Sequence, residues 1–270
     1  MIKEIILMAY FVSLYLVIFW SLTLLEKNTK RVPKKFKEFP LVTVCIPAYN
    51  EERTVVETIE SVIQLDYPKD KLEILVVNDG SKDCTKEVVE NFIRNHKENN
   101  LRLINQKNKG KGAAMNNALG QAKGEFFIPL DADSIVSKDA LKILLPHFYT
   151  DNVAAVLPMI RVQHKSTIMR KIQHCEYIIN FFYKRIMGKI NCVHVTPGPF
   201  SVYRKHILKK VGGFDEHCLV EDLEMAVKIQ KANHEIVQLL GTSIYTKAPG
   251  SFLQFYRQRN RWYKGSLITV

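Results

Sequence analysis

Glu125-Phe126-Phe127-Ile128-Pro129-Leu130-Asp131-Ala132-Asp133 joins an apolar run to two carboxylates one residue apart. The run from Phe126 to Leu130 predicts a buried strand, and the carboxylates fall where that strand leaves its sheet. Ligand sites in open α/β sheets lie outside the carboxyl ends of strands. Hard divalent cations take carboxylate oxygens, and Mg²⁺ commonly uses one or two of them together with phosphate oxygens. The stretch therefore fits a metal that carries a diphosphate. A plain turn is the alternative, because Asp is frequent wherever strands end, and a lone pair of this kind has low specificity.

The chain on either side repeats one pattern. Strands are predicted at Val42 to Ile46, Leu72 to Val77 and Leu101 to Asn105, each a short apolar run. Helices are predicted between them at Glu52 to Gln64, Thr85 to Arg94 and Lys111 to Ala122. In the first of these helices Val55, Val56, Ile59, Val62 and Ile63 recur at helical spacing. Asp139 to Leu145 and Val153 to Leu157 continue the alternation. A β-α-β-α order predicts an α/β fold with a mostly parallel sheet and helices on both faces.

Ahead of that domain, Ile5 to Leu25 carries no charge and is rich in Leu, Ile, Val, Phe and Tyr. As a helix it spans roughly 30 Å, the thickness of a bilayer core. A cleaved signal peptide is disfavoured by its length and by the lack of a small-residue cleavage site. Lys27, Lys30, Arg31, Lys34, Lys35 and Lys37 follow. Flanking positive charge stays on the cytoplasmic side. The expected division is thus a transmembrane helix over 1–26, a basic linker over 27–40 against anionic headgroups, and an α/β domain over 41–270. That places the protein in the cell membrane with the domain in the cytoplasm.

Of the 270 residues 24% are charged, and the net charge is +12. Such a balance suggests an anionic partner: nucleic acid, anionic lipid or a phosphorylated substrate. The five cysteines are scattered and form no C-x-x-C pair, so neither a zinc site nor a disulfide framework is expected. Ile168 to Ile186 sets Ile168, Ile172, Cys175, Ile179, Phe182 and Ile186 on one stripe, with Arg170, Lys171, Lys184 and Arg185 largely off it. An interfacial membrane helix and an ordinary core-facing helix both fit this pattern. Phe252 to Lys264 repeats the aromatic and basic theme, and a second apolar trend begins just before Val270. The chain is therefore expected to be a piece of something longer.

Further motifs stand at strand ends and helix starts. Pro47-Ala48-Tyr49-Asn50-Glu51 closes the first strand, where Tyr49 offers a ring for a base and Asn50 a helix cap. Asn78-Asp79-Gly80-Ser81 follows the second, where Asp79 suits a ribose hydroxyl, a base edge or an Asx-turn. Lys109 and Lys111, among glycines at a helix start, suit phosphate oxygens. Glu221 and Asp222 open the helix predicted over 222–231, as caps or as a general base. Gln258, three residues from Arg261, shares a helical face with it, and Trp262 can stack on a sugar.

In this order the five motifs, Pro-Ala-Tyr-Asn-Glu, Asn-Asp-Gly-Ser, Asp-Ala-Asp, Glu-Asp and Gln-Arg-Asn-Arg-Trp, resemble those of the family 2 glycosyltransferases. The last resembles the Q-x-x-R-W of the processive membrane branch: cellulose, chitin, hyaluronan and poly-N-acetylglucosamine synthases. The resemblance covers about residues 40–265. It implies a GT-A fold, a nucleotide-sugar donor (a UDP-sugar first), a glycan or lipid-linked acceptor, and inversion at the anomeric carbon. It also implies that Tyr49, Glu51 and Asp79 hold the nucleoside, Lys111 lies near the diphosphate and Asp131 touches the nucleotide. Asp133 would bind Mg²⁺ or Mn²⁺, and Asp222 would be the base with Glu221 beside it. Gln258, Arg261 and Trp262 would line the acceptor and diphosphate end, with Thr196 to Ser201 as a loop that contacts the acceptor. Asn78 and Val220 depart from the usual Asp and Thr without removing a chemical carboxylate.

Other readings remain beside this one. Single transfer to a polyprenyl phosphate is the nearest, although that branch usually lacks Q-x-x-R-W. A sugar-nucleotidyltransferase would need a Gly-rich, Arg-containing loop after the first strand, which residues 47–51 are not. Nucleic-acid binding would not need ordered carboxylates and suits a membrane anchor poorly.

Overall fold

The computed structural model describes residues 2–25, 33, 36, 38–97, 100–218 and 220–269. The basic linker's Lys27, Lys30, Arg31, Lys34, Lys35 and Lys37 lie outside them. The chain opens with α1 (Ile2–Leu25), then β1 (Val42–Ala48), α2 (Val55–Ile63), β2 (Leu72–Asp79), α3 (Thr85–Asn95), β3 (Leu101–Gln106), α4 (Lys111–Gln121) and β4 (Phe126–Pro129). It continues with β5 (Ser134–Val136), α5 (Ala140–Leu144), β6 (Val153–Val162), α6 (Ile168–Lys189), β7 (Val202–Arg204), α7 (Lys205–Lys210), α8 (Glu221–Lys231), β8 (Glu235–Thr246) and α9 (Phe252–Thr269).

The strands form one sheet in the order β3-β2-β1-β4-β7-β6-β8-β5. Pairings β1 with β2, β1 with β4, β2 with β3 and β6 with β8 are parallel. Those of β4 with β7, β6 with β7 and β5 with β8 are antiparallel. The sheet is thus mixed, its first half wholly parallel. Strands β5, β7 and β8 were not among the expected elements. The first and second are three residues each, too short for a period, and β8 is broken by Gly241.

Two apolar layers enclose the parallel half, as the two-residue period of a strand requires. Val42, Val44 and Ile46 of β1, Ile74 and Val76 of β2, and Phe126 and Ile128 of β4 face the layer that holds α2 and α5. Cys45, Leu75, Val77 and Phe127 face the layer of α4, α7 and α8. Because β2 and β3 lie to one side of β1 and β4 to the other, strand order reverses at the β1/β4 boundary. A crevice opens there at the carboxyl edge.

Helices α1, α6 and α9 depart from this plan. The apolar side chains of α1 are exposed along most of its length, Phe19 and Trp20 being half-buried. Its C-terminal end rests on α6, where Lys189 Nζ donates to the carbonyls of Thr23 and Leu24 at 2.7 and 2.8 Å. That contact satisfies helix-end carbonyls and opposes the negative end of the dipole. In α6 the apolar stripe faces outward from Ile168 to Phe182, with Ile168 74% and Ile179 67% exposed, and only its last member, Ile186, is buried, so the core-facing alternative does not hold for most of the helix.

Candidate active site

Strands β1, β2 and β4 end at one edge, and their next residues carry the polar side chains. Asn50, at φ +57°, joins two of these loops. Its Oδ1 accepts from the Lys82 N–H at 2.8 Å, and its own N–H donates to Ser81 Oγ at 3.1 Å. It therefore does not cap α2. Tyr49 is exposed beside it, and Glu51 accepts from Thr54 Oγ1 at 2.6 Å. Asp79 is buried and accepts from Gln106 Nε2 at 2.8 Å and from the N–H groups of Lys109 and Gly110, both at 2.9 Å. It holds the turn that starts α4, where Gly110 adopts φ +92°. The Asx-turn belongs to Asn78, whose Oδ1 accepts from the Ser81 N–H at 3.0 Å.

Lys111 begins α4, a position that opposes the helix dipole. Two carboxylates compensate: Asp131 at 2.7 Å and Glu221 at 2.8 Å. Asp131 comes from the end of β4 and Glu221 from the first turn of α8, so one ammonium ties three elements together. The two carboxylates raise the Lys111 pKa well above the lysine range against the opposing effect of burial. Asp133 stands apart from this pair. Burial, Asp131 and Glu51 push its carboxyl up to about 6, opposed by Ser134 and Lys247. Asp222 is also raised, by burial and then by Glu221, while Lys111 and Lys184 act against that.

Thr196 to Ser201 forms a roof over these groups. Thr196 Oγ1 donates to the Asp222 carbonyl at 2.8 Å, and the Phe200 N–H donates to the Pro129 carbonyl at 2.7 Å. Phe200 is fully buried at φ +61°, a strained conformation for an aromatic residue that this packing must hold. A Cβ on Gly198 would lie 3.0 Å from Lys111 Nζ and 3.6 Å from Asp131 Oδ2, so the roof passes close over the ion pair.

The remaining walls come from α6 and α9. Gln173 Nε2 donates to Gln258 Oε1 at 3.0 Å, and Arg259 pairs with Glu176. The Arg259 guanidinium lies 4.3 Å from the Trp262 ring centre, a cation–π arrangement that fixes the indole. Lys111, Asp131, Asp133, Glu221, Asp222, Gln258, Arg261 and Trp262 all line one open cavity of about 570 Å³. That volume lies within the range of small-molecule sites. The expected site residues Tyr49, Glu51 and Asp79 stand outside this lining, at the neighbouring strand ends.

Lys184, His194, Tyr177, Arg259 and Lys247 also line the cavity, and sequence reasoning assigned no site role to any of them. Lys184 was placed among the charges off the apolar stripe of α6. The outward turn of that stripe puts the opposite face, with Lys184, into the cavity. Glu176 and Arg259 carry opposite charges on two amphipathic helices, but 83 residues separate them and nothing in the sequence pairs them.

Among the described residues no three His, Cys, Asp or Glu side chains gather in metal-binding geometry. Asp133, half-buried and without an ion pair among these residues, nevertheless stands close enough to Asp131 and Glu51 for both to add to the effect of burial on its carboxyl. Hard oxygen donors of this kind fit Mg²⁺ or Mn²⁺ when a diphosphate completes the coordination.

Residues 43–212 match the family described as Glycosyl transferase family 2. A probable glycosyltransferase, YdaM, of Bacillus subtilis (strain 168) is 30% identical over 251 residues, covering 91% of this chain and 60% of that protein. The poly-beta-1,6-N-acetyl-D-glucosamine synthase of Staphylococcus epidermidis is 32% identical over 228 residues, covering 83% of this chain and 54% of the synthase. The chain thus spans little more than half the length of these relatives. Among solved structures, the mannosyltransferase PcManGT from Pyrobaculum calidifontis, in complex with GDP-Man and Mn²⁺, superposes with a TM-score of 0.75. It is 24% identical, with 90% of this chain and 68% of that one covered, and it shows the shared GT-A fold. S. aureus TarS 1-349 in complex with UDP-GlcNAc superposes at 0.60 with 25% identity, covering 78% of this chain and 59% of that one.

Proposed function

The chain belongs to glycosyl transferase family 2, and from that premise we propose that it is a membrane-anchored, metal-dependent, inverting transferase. It moves a sugar from a nucleotide-sugar donor, a UDP-sugar first, onto a growing polysaccharide or glycan. One observation carries this reading. Lys111 is held between Asp131 and Glu221 at the rim of a cavity that also contains Asp222, Asp133 and Arg261. Cations for a leaving diphosphate and a carboxylate for an attacking hydroxyl thus share one space.

The proposed chemistry is a single displacement. The acceptor hydroxyl oxygen bonds to the anomeric carbon while the bond from that carbon to the diphosphate oxygen breaks. Asp222 takes the hydroxyl proton, and the diphosphate leaves with the bonding electron pair. Lys111 and Arg261 receive the charge that develops there. Asp133 would hold Mg²⁺ or Mn²⁺, which when bound neutralises diphosphate charge. Tyr49, exposed just after β1, would stack on the base, and Glu51 would contact the nucleoside beside it. Three donors already occupy Asp79, so it serves the nucleoside chiefly by shaping the Lys109-Gly110 turn. Gln258 and Trp262 line the acceptor side.

The membrane placement is part of the same reading. Helix α1 has 24 residues and a mean hydropathy of 2.3, enough to cross a bilayer. The outward stripe of α6 and the exposed Phe252, Leu253, Tyr256, Leu267 and Ile268 of α9 suit a membrane interface. Residues 1–26 act as the anchor, 27–40 as a linker and 41–270 as the cytoplasmic catalytic domain.

A donor screen on membranes containing the protein tests the proposal. UDP-glucose, UDP-N-acetylglucosamine, UDP-glucuronate and GDP-mannose are supplied with Mg²⁺ or Mn²⁺, and nucleoside diphosphate release and product size are followed. One donor giving a long product supports polymer extension. A short, lipid-extractable product supports single transfer to a lipid phosphate instead. No release with any donor overturns the reading for this chain.

A further inference from the structure

We propose that Lys184 is the positioning residue for the base: its ammonium, lining the catalytic cavity together with Asp222, keeps that carboxylate ionised and oriented for the acceptor hydroxyl. This rests on the assignment of Asp222 as base. The argument begins with charge. Asp131, Glu221 and Asp222 bring three carboxylates to one wall of the cavity, and Lys111 is already in contact with the first two. A second cation is needed if Asp222 is to stay ionised without water around it.

Lys184 is the group in place to do this. It lies on the inward face of α6, lines the same cavity and is half-buried. Among the described residues it makes no ion pair and donates no hydrogen bond. A half-buried ammonium with no contact partner loses hydration without return, unless it serves a carboxylate or a substrate across the cavity. The groups that face Asp222 are Glu221 on α8, Lys111 on α4, Lys184 on α6 and the Tyr203 phenol on β7. His194, from the segment between α6 and the roof, faces Lys184. Glu221 disfavours the Asp222 charge, and Lys111 and Lys184 favour it. Burial pulls Lys184 down to about 8, and Asp222 is the one group that opposes this, so the two side chains act on each other.

The sign of the effect follows. A base must be deprotonated, and a neighbouring cation lowers the pKa at which that happens. Removing the cation moves the acidic limb of the rate profile to higher pH.

The test uses the full chain in membranes and has two arms. In the first, kcat/KM for the donor selected by the screen is measured across pH for wild type, Lys184→Met, Lys184→Arg and Asp222→Asn. Lys184→Met is expected to raise the acidic limb by about one pH unit or more, with donor KM changed less than threefold, and Lys184→Arg to restore the wild-type limb. A limb that does not move, or a loss that tracks donor KM, overturns the proposal. Asp222→Asn that still turns over sinks the base assignment itself; an inactive Asp222→Asn with an unmoved limb in Lys184→Met sinks only the role of Lys184. The second arm needs neither turnover nor a folded Lys184 variant. Acylation of Lys184 by an amine reagent is followed by mass spectrometry against pH, in wild type and in Asp222→Asn. The labelling midpoint is expected to fall when Asp222 loses its charge, and an unchanged midpoint shows that the two groups are not coupled.

Discussion

Glu73, at the amino edge of the parallel sheet, and the cavity carboxylates Asp133 and Asp222 are treated in opposite ways. At the amino edge Glu73 is fully buried, and Thr43 Oγ1 (2.6 Å), the Lys123 N–H (2.8 Å) and Arg102 Nη2 (2.8 Å) all donate to it. Burial works to raise its pKa, but these donors prevail and hold the carboxyl below its ordinary range. At the carboxyl edge Asp133 has one long contact, Ser134 Oγ at 3.4 Å, and other carboxylates face it. Asp222 has Glu221 as its neighbour and one donor, the Leu223 N–H at 3.0 Å. Burial is common to these groups; the supply of donors is not, and Asp79, at the carboxyl edge but with three donors, falls with Glu73. A carboxylate with its donors in place serves the fold, and one left short of them is available to a proton, a metal or a substrate.

Four substitutions sharpen or break that contrast. Asp222→Asn should lower transfer by about 10²- to 10⁴-fold while donor affinity stays within threefold, as read by nucleoside diphosphate release and donor titration; equal loss of affinity would remove Asp222 from the base role. Asp133→Ala should weaken metal-dependent donor binding by about 10- to 100-fold or more, since even outer-shell partners contribute that much. Donor titrations with Mn²⁺ and with EDTA would then coincide, and a surviving metal response would show that Asp133 is not a ligand. Arg259→Ala should free the Trp262 indole and the α6–α9 wall, lowering kcat about tenfold, a 1.4 kcal/mol effect, with little change in donor affinity. Unchanged kcat would make the Glu176 pair merely structural.

Glu73→Gln should leave turnover intact and reduce stability by about 2 kcal/mol, a fall of about 4–8 °C in Tm for a domain of this size. Its pH dependence has a definite sign. The folded pKa of Glu73 is depressed, so its contribution is present above the ordinary carboxylate value of about 4.3 and is lost as pH falls through the folded value. The Tm difference between wild type and Glu73→Gln should therefore shrink in acid. Asp222, with its pKa raised, acts in the other direction: ionising it on going to higher pH costs stability. A Tm difference that grows in acid would reverse the assignment of Glu73 and Asp222.

The parallel half of the sheet was legible because β1, β2 and β4 are mostly apolar runs of strand length that end in or are followed by polar residues. The five motifs were legible for the same reason, since each sits at a strand end or a helix start. The antiparallel half was not. β7 has three residues, and β8 alternates poorly around Gly241. The face of α6 that enters the cavity was also hidden. Amphipathicity specifies that a helix has two faces, not which of them meets protein.

Local periodicity and the chemistry of single residues thus determined, from sequence alone, the α/β class, the apolar N-terminal helix and the carboxylates and lysine of the candidate site. Only the tertiary structure decided that Lys111 bridges Asp131 and Glu221, that Arg259 meets Glu176, and that Lys184 lines the same cavity as Asp222. Those contacts join residues far apart in the chain, and their energies depend on distance and on how much water the cavity admits. Neither quantity exists until the sheet and its covering helices have packed.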